Sequence, residues 1–337
     1  MALTKVDQTM VSDQVFGRRR LNINGGMDVN QRGTINSVTN SYGGPDRYKL
    51  SSSGSIGDFQ LSQSGGSPDG FRNSMHVNCT TADASPSADE YILLVYAFEG
   101  FDCQPFKFGT SSAEQVTISF YVKTNKTGTY NVELYAPDNS SNPYAGKQYT
   151  VSSADTWEQK IVTFPCGNSA EIADDNTVGL AVHFWLGSGT TYTSGSASDG
   201  NFHNTTANRA AGNVNIADST SNSFRITGIQ IETGDNATPF EYRSHAEELA
   251  LCHRYYLVQR YSVEDPAATA GSQYAHSMLQ FNMRAAPSST LTVGSRTNVG
   301  TTAFYNAQTT GGRIEITSSA AGRFYDLDGI IALDAEL

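Results

Sequence analysis

Side chains able to do chemistry are plentiful in this sequence, and their spacing decides against most of it. Cleaving a glycosidic bond takes two carboxyl groups about 5–10 Å apart across a sugar cleft. Asp58, Asp102 and the adjacent pairs Asp89-Glu90 and Asp174-Asp175 have no spacing that singles out an acid and a base. The six histidines, His76, His183, His203, His245, His253 and His276, show neither H-E-x-x-H nor H-x-H spacing, so no imidazole metal centre is indicated. His183, inside the apolar run AVHFW, reads as a structural residue on a sheet face, hydrogen-bonded to a neighbour. No G-x-S-x-G elbow and no G-x-x-x-x-G-K-[ST] loop occurs, which leaves acyl transfer and P-loop chemistry without support. The expectation is that the chain is no enzyme and needs no cofactor for a reaction.

Binding chemistry is better served. Sugars present apolar C–H faces edged with hydroxyls, so their sites set aromatic rings beside hydrogen-bonding side chains. Trp185 and Tyr192, followed by Asn201 and His203, offer that mixture, and Trp157 is a weaker candidate. The competing role for both tryptophans is in the core: Trp157 leads into a strand in DTWEQKIVTF, and Trp185 ends an apolar one. The four cysteines, Cys79, Cys103, Cys166 and Cys252, lie far apart with no C-x-x-C pair. They read as free, buried thiols in a reducing cytoplasm, and thiolate zinc is not indicated.

The elements that must position these residues are strands. The chain has 337 residues, 38% of them hydrophobic, with 17 Tyr and 16 Phe against 2 Trp. Gly, Ser, Thr and Asn are abundant, so the class is all-β with long polar loops. Alternation marks strands at Met75-Val77-Cys79, at Val116 to Val122, and at Tyr130-Val132-Leu134, the last two joined as a hairpin through Asn125 to Gly128. Further strands are expected at Arg47 to Leu50, Asp58 to Gln63, Gln159 to Phe164, Val178 to Trp185 and Phe224 to Glu232. Eight to ten such strands without intervening helical patterns predict a two-sheet sandwich. Residues 186–215, nearly all Gly, Ser, Thr, Asn and Ala, predict a long exposed loop. Ser244 to Tyr256 reads as the single helix, opened by the S-x-x-E spacing of Ser244 and Glu247. Beyond it come a strand at RYYLVQRYS, a partner strand at Ser277 to Met283, and short strands over 288–337 ending in GIIALDAEL. Three divisions follow: an arm or anchor at 1–20, a sandwich at 21–243, and a short helix plus small β domain at 244–337.

Net charge is −11 and the pI near 4.9, which disfavours a nucleic-acid surface, since phosphate neutralisation needs clustered Lys and Arg. The one basic cluster, Arg18-Arg19-Arg20, reads as a solvated linker or as a segment that meets an acidic docking site on another protein. No apolar run approaches the ~20 residues of a membrane span, and the N-terminus lacks the apolar core of a signal peptide. Assembly in the cytoplasm is expected.

One stretch carries more than composition. ITGIQIETGDNATPFEYRSHAEELALCHRYY (226–256) is a strand, a Thr238-Pro239 turn and a capped helix leading into aromatics. That order resembles the closing segment of the carbohydrate-binding-module-like jelly-roll domain of tailed-phage fibre and tailspike proteins. LNINGGMDVNQRGT (21–34) is similar to that family's first strand, and FNMRAAPS (281–288) to its Met-Arg-Ala-x-Pro segment. VTISFYVKTNKTGTYNVELY (116–135) also fits, while 136–215 is looser. The long shaft or β-helix that many fibres carry is not seen in 1–20. The resemblance implies a jelly-roll sandwich in a virion protein of tail-fibre or receptor-binding type, recognising a host surface glycan. It implies a homotrimer, with 1–20 docking on other virion proteins. It also implies room for a structural calcium, with Asp28 on the first strand and Glu232 on the last as oxygen donors. The alternative is a capsid-decorating or head-fibre protein with no glycan pocket.

Overall fold

The computed structural model describes residues 18–36, 40–139, 141–166, 170–277 and 282–337. Two compact units divide the chain, one ending at Ser244 and one starting at His245. The first contains β1 (Ser41–Tyr42), β2 (Tyr48–Ser53), β3 (Asp58–Ser64), β4 (Ser74–Thr81), β5 (Tyr91–Glu99), β6 (Val116–Thr124), β7 (Gly128–Tyr135), β8 (Tyr144–Val151), β9 (Glu158–Phe164), β10 (Val178–Ser188) and β11 (Ser223–Thr233). A six-stranded sheet runs β1-β2-β5-β10-β7-β8 and a five-stranded sheet β3-β4-β11-β6-β9, antiparallel throughout. Val116, Ile118, Phe120 and Val122 of one sheet and Tyr130, Val132 and Leu134 of the other enter one buried cluster. The unit is therefore a jelly-roll β-sandwich, and the period-2 pattern of each strand is what fills its core.

Several expectations are corrected. Residues 21–34 form no strand. Asn24 and Met27 have φ of 55° and 60°, which breaks the extended backbone, and the segment instead lies irregularly along β11. Leu21 N–H donates to Ile231 O, Ile229 N–H to Gly25 O, and the Asn22 amide bridges Ile229 O and Ile231 N. A Cβ on Gly25 would sit 2.0 Å from Ile229 O, so only glycine allows that approach. Three strands of this unit were not anticipated, the two-residue β1 and the longer β5 and β8. β5 is buried on both faces along most of its length, and so shows no alternation to read.

The second unit holds α2 (His245–His253; α1 is the single turn Thr190–Thr193 of the first unit), shorter than the 244–256 expected. It continues through β12 (Tyr256–Ala267), β13 (Gln273–Ser277), β14 (Ser288–Thr292), β15 (Ser295–Thr297), β16 (Val299–Gln308), β17 (Gly311–Ser318) and β18 (Gly322–Asp334). β18 lies centrally, paired with β12, β14 and β15, while β13-β17-β16 form a second sheet. The partner of β12 is therefore β18. The strand expected at Ser277 to Met283 falls mainly on residues outside those described. Ile314, Ile316, Phe324, Ile331 and Leu333 are fully buried in this unit's own core.

Candidate glycan-binding face

The outward side of the six-stranded sheet carries the least expected residues. Along β7, core residues alternate with Asn131, Glu133 and Tyr135; along β10 they alternate with Ala181, His183 and Trp185. Register then builds cross-strand rows, because directly paired residues share a face. Val95, His183, Glu133 and Gly146 form one; Leu93, Trp185, Asn131 and Gln148 another; Ala181, Tyr135 and Tyr144 a third. A sheet face turned to water should be polar and open, yet Glu133 and Trp185 are both 0% exposed.

What covers them is the segment expected to be a loose loop. β10 extends to Ser188, α1 follows at once, and the chain then folds back so that Ala210, Ala211, Ile216 and Ala217 are buried. Arg209 is the pin. Its Nε donates to Glu133 Oε2 at 2.8 Å and its Nη2 to Oε1 at 2.6 Å. His183 Nδ1 lies 3.0 Å from the same Oε1 and must carry the proton it donates to an ionised carboxylate. Burial pushes the Glu133 carboxyl up, but the Arg209 charge and the hydrogen bonds outweigh it and hold it below the usual range. Burial likewise pulls Arg209 down, and Glu133 more than restores it.

Around the guanidinium stand four rings: Tyr144 at 4.4 Å, Trp185 at 5.2 Å, Tyr135 at 5.7 Å and Tyr192 at 5.8 Å from its centre. The Arg209 side chain makes no further hydrogen bond among the described residues, and it is 17% exposed. Its Nη1 group is thus left as a fixed two-proton donor with no partner among the described residues, inside an aromatic collar.

Of the residues marked in the sequence, Trp185 and Tyr192 come together, ring centres 5.2 Å apart. Trp185 is sealed under Ala210 and beside Tyr91, so it supports the collar from beneath. His203 is half-buried near Tyr144. It pairs with that residue through both backbone hydrogen bonds, and the two rings meet edge-on at 5.1 Å. Its Nδ1 accepts from Thr205 N–H, so Nε2 carries the proton toward Ser198 Oγ at 3.0 Å. Burial lowers its pKa, and the ring is neutral near pH 7. Asn201 is exposed, its amide on Asp199 and its backbone bridged to Cys166. Trp157 stands apart, its Nε1 donating to Gly66 O at 2.9 Å.

Asp28 and Glu232 are not brought to a common partner. Asp28 accepts from Asn73 at 3.2 Å, whereas Glu232 takes Gln230 Nε2, Thr238 N–H and the Thr238 hydroxyl. With both oxygens of Glu232 already accepting from protein donors, this pair does not fit a calcium shell. Among the described residues no group of three or more His, Cys, Asp or Glu is placed to hold a metal ion.

Comparison with known proteins adds neighbours to this geometry. No family model and no curated protein matches the chain. Among solved structures, it is similar to a putative sugar-binding protein from Bacteroides thetaiotaomicron, at 11% identity over 64% of this chain and 100% of that one, TM-score 0.35. A xylan-binding domain of carbohydrate-binding module family 22 aligns at 12% identity over 62% and 99%, TM-score 0.34. The enzymatically active domain of tailspike protein 4 from bacteriophage CBA120 aligns at 13% identity over 59% of this chain and 21% of that one, TM-score 0.32. All three scores lie below 0.5, so what these proteins bind or cleave is a fact about them alone.

The sequence reading missed Glu133, Tyr135, Tyr144 and Arg209. Two signals were there to find. Glu133 is a carboxylate in the middle of an alternating strand, and Arg209 is the sole Lys or Arg in 186–215.

Proposed function

We propose that the sandwich is a glycan-recognition module of a tailed-phage virion protein, binding a host surface glycan at the Arg209 collar. The observation that carries the reading is the Nη1 of Arg209, without a hydrogen-bond partner among the described residues, beside the part-exposed rings of Tyr135 and Tyr192. Rings that stack on C–H faces beside a fixed donor are what a sugar needs, and the buried anchor below means little ordering remains to be done on binding. The sequence resemblance at 226–256 and 281–288 supports the virion setting, with a homotrimer and docking through residues 1–20 as parts of the same proposal. The site suits binding rather than hydrolysis: Glu133 is held ionised, and its two oxygens take three hydrogen bonds, so it has no proton to give a leaving group.

The test is binding of the purified full-length chain to intact host cells, with and without soluble host polysaccharide as competitor. Saturable binding that the competitor abolishes is the expected result. A folded protein that binds no cells would turn the assignment toward a decorating role on the capsid.

A further inference from the structure

The glycan reading leaves open what kind of sugar the collar takes, and the inference that follows rests on it. A cationic donor at the centre suggests at first a ligand with carboxylate, sulfate or phosphate groups. The surroundings of Arg209 argue otherwise. Its charge is met by the carboxylate of Glu133, which is 0% exposed and has no route out of the way of an incoming anion. His183 hydrogen-bonds to the same carboxylate, and His203 is neutral with its acceptor nitrogen filled. Nearby charge adds no free cation: Asp89 acts on the Tyr192 hydroxyl, and Asp199, itself acted on by Lys147, acts on His203. At the collar itself the one guanidinium is therefore matched by one carboxylate, on a chain whose net charge is −11. An anion would be stripped of water there without meeting an uncompensated cation, which costs more than it returns.

We propose that the Arg209 collar selects an uncharged stretch of glycan, whose ring faces lie on Tyr135 and Tyr192 and one of whose oxygens accepts from Arg209 Nη1, while buried Tyr144 backs the guanidinium. Neutral hydroxyls are served on both sides, since Tyr144 and Thr206 share a hydroxyl hydrogen bond at the rim that can exchange donor and acceptor.

The experiment uses the full chain on an array of bacterial surface polysaccharides. The array includes uncharged polymers and polymers bearing uronate, sialate or phosphate. The strongest hit is then titrated at about 50 mM and about 500 mM NaCl, where screening separates charge-driven from neutral binding. Uncharged hits are expected, with affinity changing less than about twofold between the two salts and lost in Tyr192→Ala. Circular dichroism and thermal melting confirm that the variant is folded. Hits confined to acidic polymers, weakening about tenfold or more in high salt, would overturn the charge assignment while leaving glycan recognition standing. Uncharged hits that Tyr192→Ala binds unchanged would overturn the placement at the collar. No hit in either class would remove the glycan reading itself, and this inference with it.

Discussion

Glu133 and Arg209 are the residues on which the account turns. Exposed ion pairs contribute about 0–1 kcal/mol. This one lies under a folded loop, with the carboxylate at 0% exposure, so removing one partner strands a buried charge. Glu133→Ala should cost about 3–5 kcal/mol, read by chemical denaturation, and a loss under 1 kcal/mol would mean that the loop is held by something else. The pH dependence follows from the direction of the shift. The folded carboxyl sits below its ordinary value of about 4.3, so its contribution is complete above that value. It is lost as pH falls through the lowered folded value. Tryptophan fluorescence of Trp185 should therefore hold steady from neutral pH to about 5 and change only under stronger acid. A transition centred near neutrality would contradict this.

At the scale of elements, a polar loop proves to be a fixed part of the sheet face. Composition foretold residues 186–215 as exposed, and by composition alone no other reading was open, because Ala210 and Ala211 bury little by themselves. One long-range ion pair, between positions 133 and 209, reverses that expectation, and a pair of that kind leaves no local pattern. The same limit explains β5: its outer Leu93 is covered by the loop, so the alternation that revealed β6 and β7 is missing. Where polar residues alternate with apolar ones in the sequence, as in β4, β6, β7 and β11, period-2 patterning placed the strands within a few residues. Trp185, Tyr192 and His203 stand out in the sequence because rings beside hydrogen-bonding groups suit a sugar, and the structure buries Trp185 completely. β11 carries a separate test. Gly228 has φ +61° at a bulge between Thr227 and Gln230, and a Cβ there would lie 2.6 Å from the Phe71 ring. Gly228→Ala should destabilise the sandwich by at least about 1–2 kcal/mol from backbone strain alone. An unchanged melting temperature would contradict the bulge geometry.

The whole molecule joins a sandwich with a large continuous core to a small β unit with its own. In the second unit β18 is the shared strand of its sheet, and Ile331 and Leu333 are fully buried. Deleting residues 329–337 should abolish the folding of residues 245–337, seen as rapid proteolysis there, while 18–244 stays resistant. Equal resistance of both regions would show that β18 is dispensable. The most direct test of glycan recognition at the collar is hydrogen–deuterium exchange of the full chain with and without saturating host polysaccharide. Slowed exchange confined to 131–135, 144–148 and 198–211 is the predicted footprint. Protection concentrated on the five-stranded sheet or in residues 245–337, with none around Arg209, would contradict it.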